Sequence, residues 1–171
     1  DENGVWLGFA YDPGRVPAFP LPPKFCSVAA GDVTGGLGPD LYFTDYENGL
    51  EDRLLINDGS GFFSDETTPR LTPEMANSVF GTSSQIADFD GDGTAEIGVA
   101  GGSRYVVIET DGNLKWQQVV QDGSSNRTGS SVFDFEADGE AEVVYGDELK
   151  LRVYNGDDGA TLFEAAKSSC T

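Results

Sequence analysis

The sequence predicts an all-β protein made of three repeats, each a sheet of four short strands. Three observations carry that prediction. First, the chain copies itself. "SQIADFDGDGTAEIGVAGG" from Ser84 and "SSVFDFEADGEAEVVYGDE" from Ser130 both run from an apolar strand through an acidic loop into a second apolar strand. Second, the copies are evenly spaced. The leading acids Asp88 and Asp134 lie 46 residues apart, and a looser copy, "SVAAGDVTGGLGPDLYFTDY", places Asp32 another 56 residues upstream. Third, each unit closes on an Asp-Gly turn between alternating apolar runs, in "RLLINDGSGFF", "YVVIETDGNLKW" and "LRVYNGDDGATLF". Asp and Gly tolerate the positive φ that a tight hairpin needs. The turn aspartates Asp58, Asp111 and Asp158 follow the leading acids by 26, 23 and 24 residues. Four strands in about 45 residues is the size of a β-propeller blade, so the expected architecture is a partial or oligomer-completed propeller.

Taken in order, residues 1–24 hold an isolated apolar strand, "GVWLGFAY", and a strap, "DPGRVPAFPLPPK", with five prolines. Residues 25–75 form the first repeat, 76–123 the second and 124–171 the third. Helix is expected to be sparse, with short turns near "TPEMANS" and "LFEAAK" as its only candidates. Propellers close with typically 4–8 blades. Three repeats leave apolar faces and strand edges open, which favours association.

The acidic loop carries the chemistry. In "DFDGDGTAE", counting Asp88 as position 1, Asp90, Asp92 and Glu96 fall at positions 3, 5 and 9, and Thr94 at position 7 offers its backbone carbonyl. Carboxylates packed this closely repel one another unless a cation compensates. Hard oxygens converging from alternate positions suit Ca²⁺, which takes about 6–8 of them. Gly93 at position 6 permits the sharp turn. The third repeat keeps the spacing with Asp134, Glu136, Asp138 and Glu142, the backbone of Glu140 and Gly139. The first keeps only Asp32 and Asp40, with Thr34 at position 3 and Leu37 at the glycine position. Two Ca²⁺ sites are expected, with a third, weaker one in the first repeat.

Composition limits the partners. The net charge is −20, from 30 acidic and 10 basic residues, which disfavours nucleic acid and anionic membranes. No apolar run approaches the roughly 18 residues of a membrane span. The chain starts at Asp1 with no signal-like segment and reads as a processed or excerpted chain. It has no histidine, the commonest general base and zinc ligand. Cys26 and Cys170 read either as one long-loop disulfide, within or between chains, or as two buried thiols. Asn126 opens an "NRT" glycosylation acceptor in an expected surface loop.

"VFGTSSQIADFDGDGTAEIGVAGG" resembles the FG-GAP repeat of integrin α chains and of bacterial VCBS-type proteins, with Phe80-Gly81 in the place of the leading Phe-Gly and "GVAGG" where Gly-Ala-Pro would stand. "DLYFTDYENGLEDRLLINDGSGFFSDET" resembles the VCBS variant, and "GSSVFDFEADGEAEVVY" is similar to the bacterial FG-GAP form. The resemblance covers about residues 25 to 170. It implies a calcium-stabilised β-propeller in an extracellular or cell-surface protein, acting mostly as a ligand-binding or presenting surface.

No nucleophile elbow, phosphate-binding loop, dinucleotide fingerprint or Cys-His pair occurs, so a non-catalytic role is expected. Trp6 and Trp116 read either as blade packing or as a sugar-stacking platform. Three functions fit: a calcium-dependent module binding a protein or glycan ligand, a subunit of a surface fibre joined head to tail, and an accessory domain of a larger secreted carbohydrate-active enzyme.

Overall fold

A computed structural model of the chain describes residues 12–19, 21–46, 50–77, 81–123 and 128–168. The fold is all-β. The first sheet contains β1 (Phe25–Gly31), β2 (Asp40–Asp45), β3 (Arg53–Asn57) and β4 (Phe63–Asp65). The second contains β5 (Gly81–Ala87), β6 (Glu96–Gly101), β7 (Arg104–Ile108) and β8 (Leu114–Val119). The third contains β9 (Ser130–Phe133), β10 (Glu142–Gly146), β11 (Lys150–Tyr154) and β12 (Thr161–Ala166). Every sheet is an antiparallel meander in chain order, as a blade requires.

The sheets stack like leaves joined at their leading strands. The Ser84 N–H donates to Ser27 Oγ across β1 and β5 (3.2 Å), and Gln85 Nε2 donates to the Ser130 carbonyl across β5 and β9 (3.1 Å). Two cores fill the spaces between them. Tyr42 and Leu54 of the first sheet meet Ile97, Val99, Val106 and Ile108 of the second. On the other side of the second sheet, Tyr105, Val107 and Trp116 meet Val143, Tyr145 and Tyr154 of the third. Tyr105 stacks on Trp116 (5.8 Å between centroids) and tilts against Tyr145 (5.4 Å). Its hydroxyl shares a hydrogen bond with Ser130 Oγ (3.0 Å), satisfying a buried polar end. Both faces of the second sheet are covered, so every residue of β6 is buried.

The strap lies beside the first sheet. The Phe63 N–H donates to the Arg15 carbonyl (2.8 Å), and Phe19 meets Phe25 edge-on. The strand expected in "GVWLGFAY" lies outside the described residues. "TPEMANS" does hold a helix, α2 (Pro73–Ala76), following α1 (Thr67–Arg70). Thr72 caps α2 by accepting from the Met75 N–H, and Pro73 occupies the first turn, where a missing N–H costs nothing. "LFEAAK" is not a helical turn; it forms β12. Its Glu-Ala-Ala-Lys favours helix locally, but the preceding turn returns the chain along β11, pairing Val153 with Phe163 and Leu151 with Ala165. Lys150 and Arg152 then bind Glu164 across the strands. Tertiary pairing overrides a weak local preference.

Candidate metal centre

All three acidic loops join the first strand of a sheet to the second, and they share one frame. The carboxylate at position 9 opens the second strand, where Asp40, Glu96 and Glu142 are all buried. Each accepts from the backbone N–H of position 2: Val33 to Asp40 at 3.1 Å, Phe89 to Glu96 at 2.8 Å and Phe135 to Glu142 at 3.0 Å. The carboxylate at position 1 gathers N–H groups from the far side of its loop. Asp88 accepts from Gly91 and Gly93, and Asp134 from Asp138 and Gly139. Gly93 and Gly139 have φ of 91° and 101°, a region that side chains disfavour, as expected of position 6.

What lies between positions 1 and 9 differs from loop to loop. In the second repeat, carboxylate oxygens of Asp88, Asp90 and Glu96 fall within 4.8 Å of one another. Glu96 is pushed up to about 7, first by burial and then by the charges of Asp90, Glu109 and Asp88. A trio of hard oxygens held together against its own repulsion fits Ca²⁺. Asp92 lies on the same loop but turns to cap the Thr94 N–H (2.7 Å), and it does not join the trio. In the third repeat, partial desolvation and then the hydrogen bond and charge of Glu142 push the Glu136 carboxyl up. Asp138 caps the Glu140 N–H (3.1 Å), as Asp92 caps Thr94. In the first repeat the Thr34 hydroxyl lies 3.3 Å from both Asp32 and Asp40. Asp40 also accepts from the Asn57 N–H (2.9 Å), so this loop satisfies its own acids with protein donors.

The sequence reading missed Lys115. Its ammonium lies 2.6 Å from Asp90, 3.0 Å from Glu109 and 3.5 Å from Asp157. Burial opposes its charge, but the hydrogen bonds of Asp90 and Glu109 override that and raise its pKa. The cause of its position is a β-bulge. The β7–β8 register passes from Val107↔Trp116 to Ile108↔Leu114, leaving Lys115 as the extra residue. Bulges re-aim side chains in this way. The sequence alone carries no signal of it, because the surplus residue exists only in the pairing of β7 with β8. Lys115 therefore competes with any cation at Asp90. Lys115→Met is expected to tighten Ca²⁺ binding about tenfold or more, because an ammonium a few ångströms from the ion is worth on the order of a kcal/mol or more. Calorimetric titration of both proteins checks it, and equal affinities would refute the competition.

The other candidates are dispersed. Trp116 is buried, and its indole N–H donates to the Gly156 carbonyl (2.6 Å), so it packs between blades and is not a sugar platform. Cys26 is exposed on β1, not buried. Its candidate partner Cys170, the glycosylation candidate Asn126, Phe80 and Trp6 lie outside the described residues. Among the described residues no helix is long and apolar enough to cross a membrane.

No family model matches the sequence, and no curated protein matches it. Solved structures similar to it include two that follow. One is the crystal structure of the V. cholerae biofilm matrix protein Bap1, at 17% identity and a TM-score of 0.43, covering 84% of this chain and 27% of that one. The other is a protein of unknown function from Bacteroides caccae, at 14% identity and a TM-score of 0.41, covering 86% of this chain and 47% of that one. The chain thus spans about a quarter of the first and about half of the second.

Proposed function

We propose that the chain is a non-catalytic, calcium-binding repeat module of the FG-GAP/VCBS kind, serving as a binding or structural scaffold outside the cell. The observation that carries this reading is the trio of Asp88, Asp90 and Glu96, whose oxygens converge at the base of a loop joining two strands. Those residues would hold Ca²⁺, with Asp92 and the Thr94 carbonyl as further donors on the same loop. Asp134, Glu136 and Glu142 offer the second set. Bound there, the ion would tie the first strand of a blade to the second and neutralise charge in a protein of net charge −20. The functional output is then rigidity: a β-surface held in shape wherever Ca²⁺ is plentiful, as it is outside cells. The loop resemblance supports the family reading, and the convergence of the carboxylates supports a structural role over acid–base work.

Titration calorimetry with Ca²⁺ and separately with Mg²⁺ tests it. One or two Ca²⁺ sites are expected, with weaker Mg²⁺ binding, because an irregular loop suits the larger ion. Asp88→Asn should lose one site. Absence of heat with either ion would overturn the proposal.

A further inference from the structure

The acidic loop of the second blade and the outer turn of the third meet at one side chain. Lys115, the bulged residue of β8, belongs to neither. Its ammonium lies 2.6 Å from Asp90, 3.0 Å from Glu109 and 3.5 Å from Asp157. Asp90 belongs to the loop, Glu109 follows β7, and Asp157 lies in the turn between β11 and β12 of the third blade. The lysine side chain is only 10% exposed, so it is enclosed by this ring of acids. A positive charge thus already stands against the trio of Asp88, Asp90 and Glu96. That observation is separate from the spacing of the acids along the loop.

The two acids outside the loop are held by fixed backbone. The Glu109 N–H donates to the Asn113 carbonyl (2.9 Å), and the Glu109 carbonyl accepts from the Gly112 N–H (2.8 Å). The turn that carries Asp157 is seated on the second blade. Trp116 Nε1 donates to the Gly156 carbonyl (2.6 Å) and Gln118 Nε2 to the Gly159 carbonyl (2.7 Å), and a β-carbon at Gly156 would overlap the Phe89 carbonyl. The Asp157 N–H donates to Asn155 Oδ1 (3.1 Å). The turn therefore cannot slide, and only the Asp157 side chain, 60% exposed, is free to move. Its contact with Lys115 is the longest of the three and has room to shorten, since a hydrogen bond between an ammonium and a carboxylate settles at about 2.7–2.9 Å.

We propose that Lys115 is a calcium-dependent link between the second and third blades: as Asp90 turns to the ion, the lysine passes from Asp90 to Glu109 and Asp157. The proposal rests on the calcium reading of the trio. One Asp90 carboxylate cannot serve an ammonium and a divalent ion equally, and two cations a few ångströms apart repel each other. The long lysine side chain can withdraw without any backbone movement, and the other two acids of its ring receive it. Asp157 is then a positioning residue. It touches no ion, but it draws the competing cation off the loop. The coupling is reciprocal: if Asp157 favours the metal, the metal tightens the bridge from Lys115 to Asp157. Occupancy of a loop inside one blade is thereby felt at the joint with the next.

A double-mutant cycle tests it. Ca²⁺ is titrated calorimetrically into the wild type, Asp157→Asn, Lys115→Met and the double variant, at about 0.15 M salt to screen charges more than about 8 Å apart. Asp157→Asn keeps the size of an exposed side chain and the backbone bond to Asn155, and circular dichroism confirms that each variant folds. In the wild-type background Asp157→Asn should weaken Ca²⁺ binding about two- to fivefold, the scale of one exposed ion pair. In the Lys115→Met background it should change nothing, because no lysine remains to be drawn off. Equal weakening in both backgrounds would mean that Asp157 acts on the ion by its own charge, and would overturn the handover. So would an Asp157→Asn variant that binds like the wild type. Either result leaves the calcium reading standing, whereas absence of heat in all four proteins would overturn that reading and the handover with it.

Discussion

Glu96→Gln is expected to change the stability of the protein in opposite directions with and without Ca²⁺. Glu96 is buried against Asp88, Asp90 and Glu109, and its carboxyl titrates at about 7, above the 4.5 of a free glutamate. A pKa raised by folding means that the stability carried by the neutral form is complete below about pH 4.5 and lost as pH rises through 7. At pH 8 the metal-free wild type therefore holds an unfavourable charge. Glutamine keeps an oxygen to accept from the Phe89 N–H and removes that charge, so the metal-free variant should gain about 1–2 kcal/mol. With Ca²⁺ at about 100 times its dissociation constant, the wild type gains about 2.7 kcal/mol by mass action, and the variant, short of one charged ligand, should lose most of that. In scanning calorimetry at pH 8 this is a Ca²⁺-dependent rise of about 5–10 °C for the wild type and little for the variant. Equal rises in the two proteins would remove Glu96 from the ligand set.

That reversal joins a part of the site the sequence displayed to a part it concealed. The spacing of Asp88, Asp90 and Glu96 was visible because a loop between paired strands keeps acids at alternate positions within a few ångströms. The hairpins were visible for the same local reason: an Asp-Gly turn and alternating apolar residues need no distant partner to declare themselves. Lys115 was concealed because its approach to Asp90 depends on one surplus residue in β8, and register is a property of two strands together. β12 was concealed because the pairing of Phe163 with Val153 outweighs the helical preference of Glu-Ala-Ala-Lys. The first loop shows how a degenerate motif is made good. Thr34, expected with Asp32 and Asp40 in a weaker third site, supplies a hydroxyl between them, where the second loop gathers three carboxylates. The burial of Trp116 followed from the third blade seating a glycine turn on it, a contact between residues 40 apart in sequence.

The second large effect lies in the first blade, at a buried acid the sequence did not single out. Asp52 precedes β3 and is nearly inaccessible. Its carboxylate accepts from the Tyr42 hydroxyl at 2.8 Å and from the Asp45 N–H at 2.7 Å. Burial pushes it up to about 7 from 3.8, against the pull of those two donors, and the neighbouring charge of Asp45 adds to the rise. The sign is that of Glu96: stability carried by neutral Asp52 is complete below about pH 4 and lost as pH rises through 7. Asp52→Asn keeps an oxygen for the Asp45 N–H, and the Tyr42 hydroxyl can rotate to accept from the new amide. The variant should match the wild type near pH 4 and exceed it at pH 8 by about 2–4 kcal/mol. Because Glu96 titrates over the same range, the clean comparison is made in EDTA on a Glu96→Gln background. The two acids sit on different blades and share no hydrogen-bond partner, so their effects should add. There the remaining fall in melting temperature between pH 5 and 8 belongs to Asp52, and Asp52→Asn should abolish it. If that slope survives the double substitution, the titrating group is elsewhere and Asp52 does not change its charge across the range. Tyr42→Phe supplies the opposite control: it removes one of the two donors from a buried carboxylate, so its cost of about 1–3 kcal/mol should appear most strongly at the alkaline end, where Asp52 is charged.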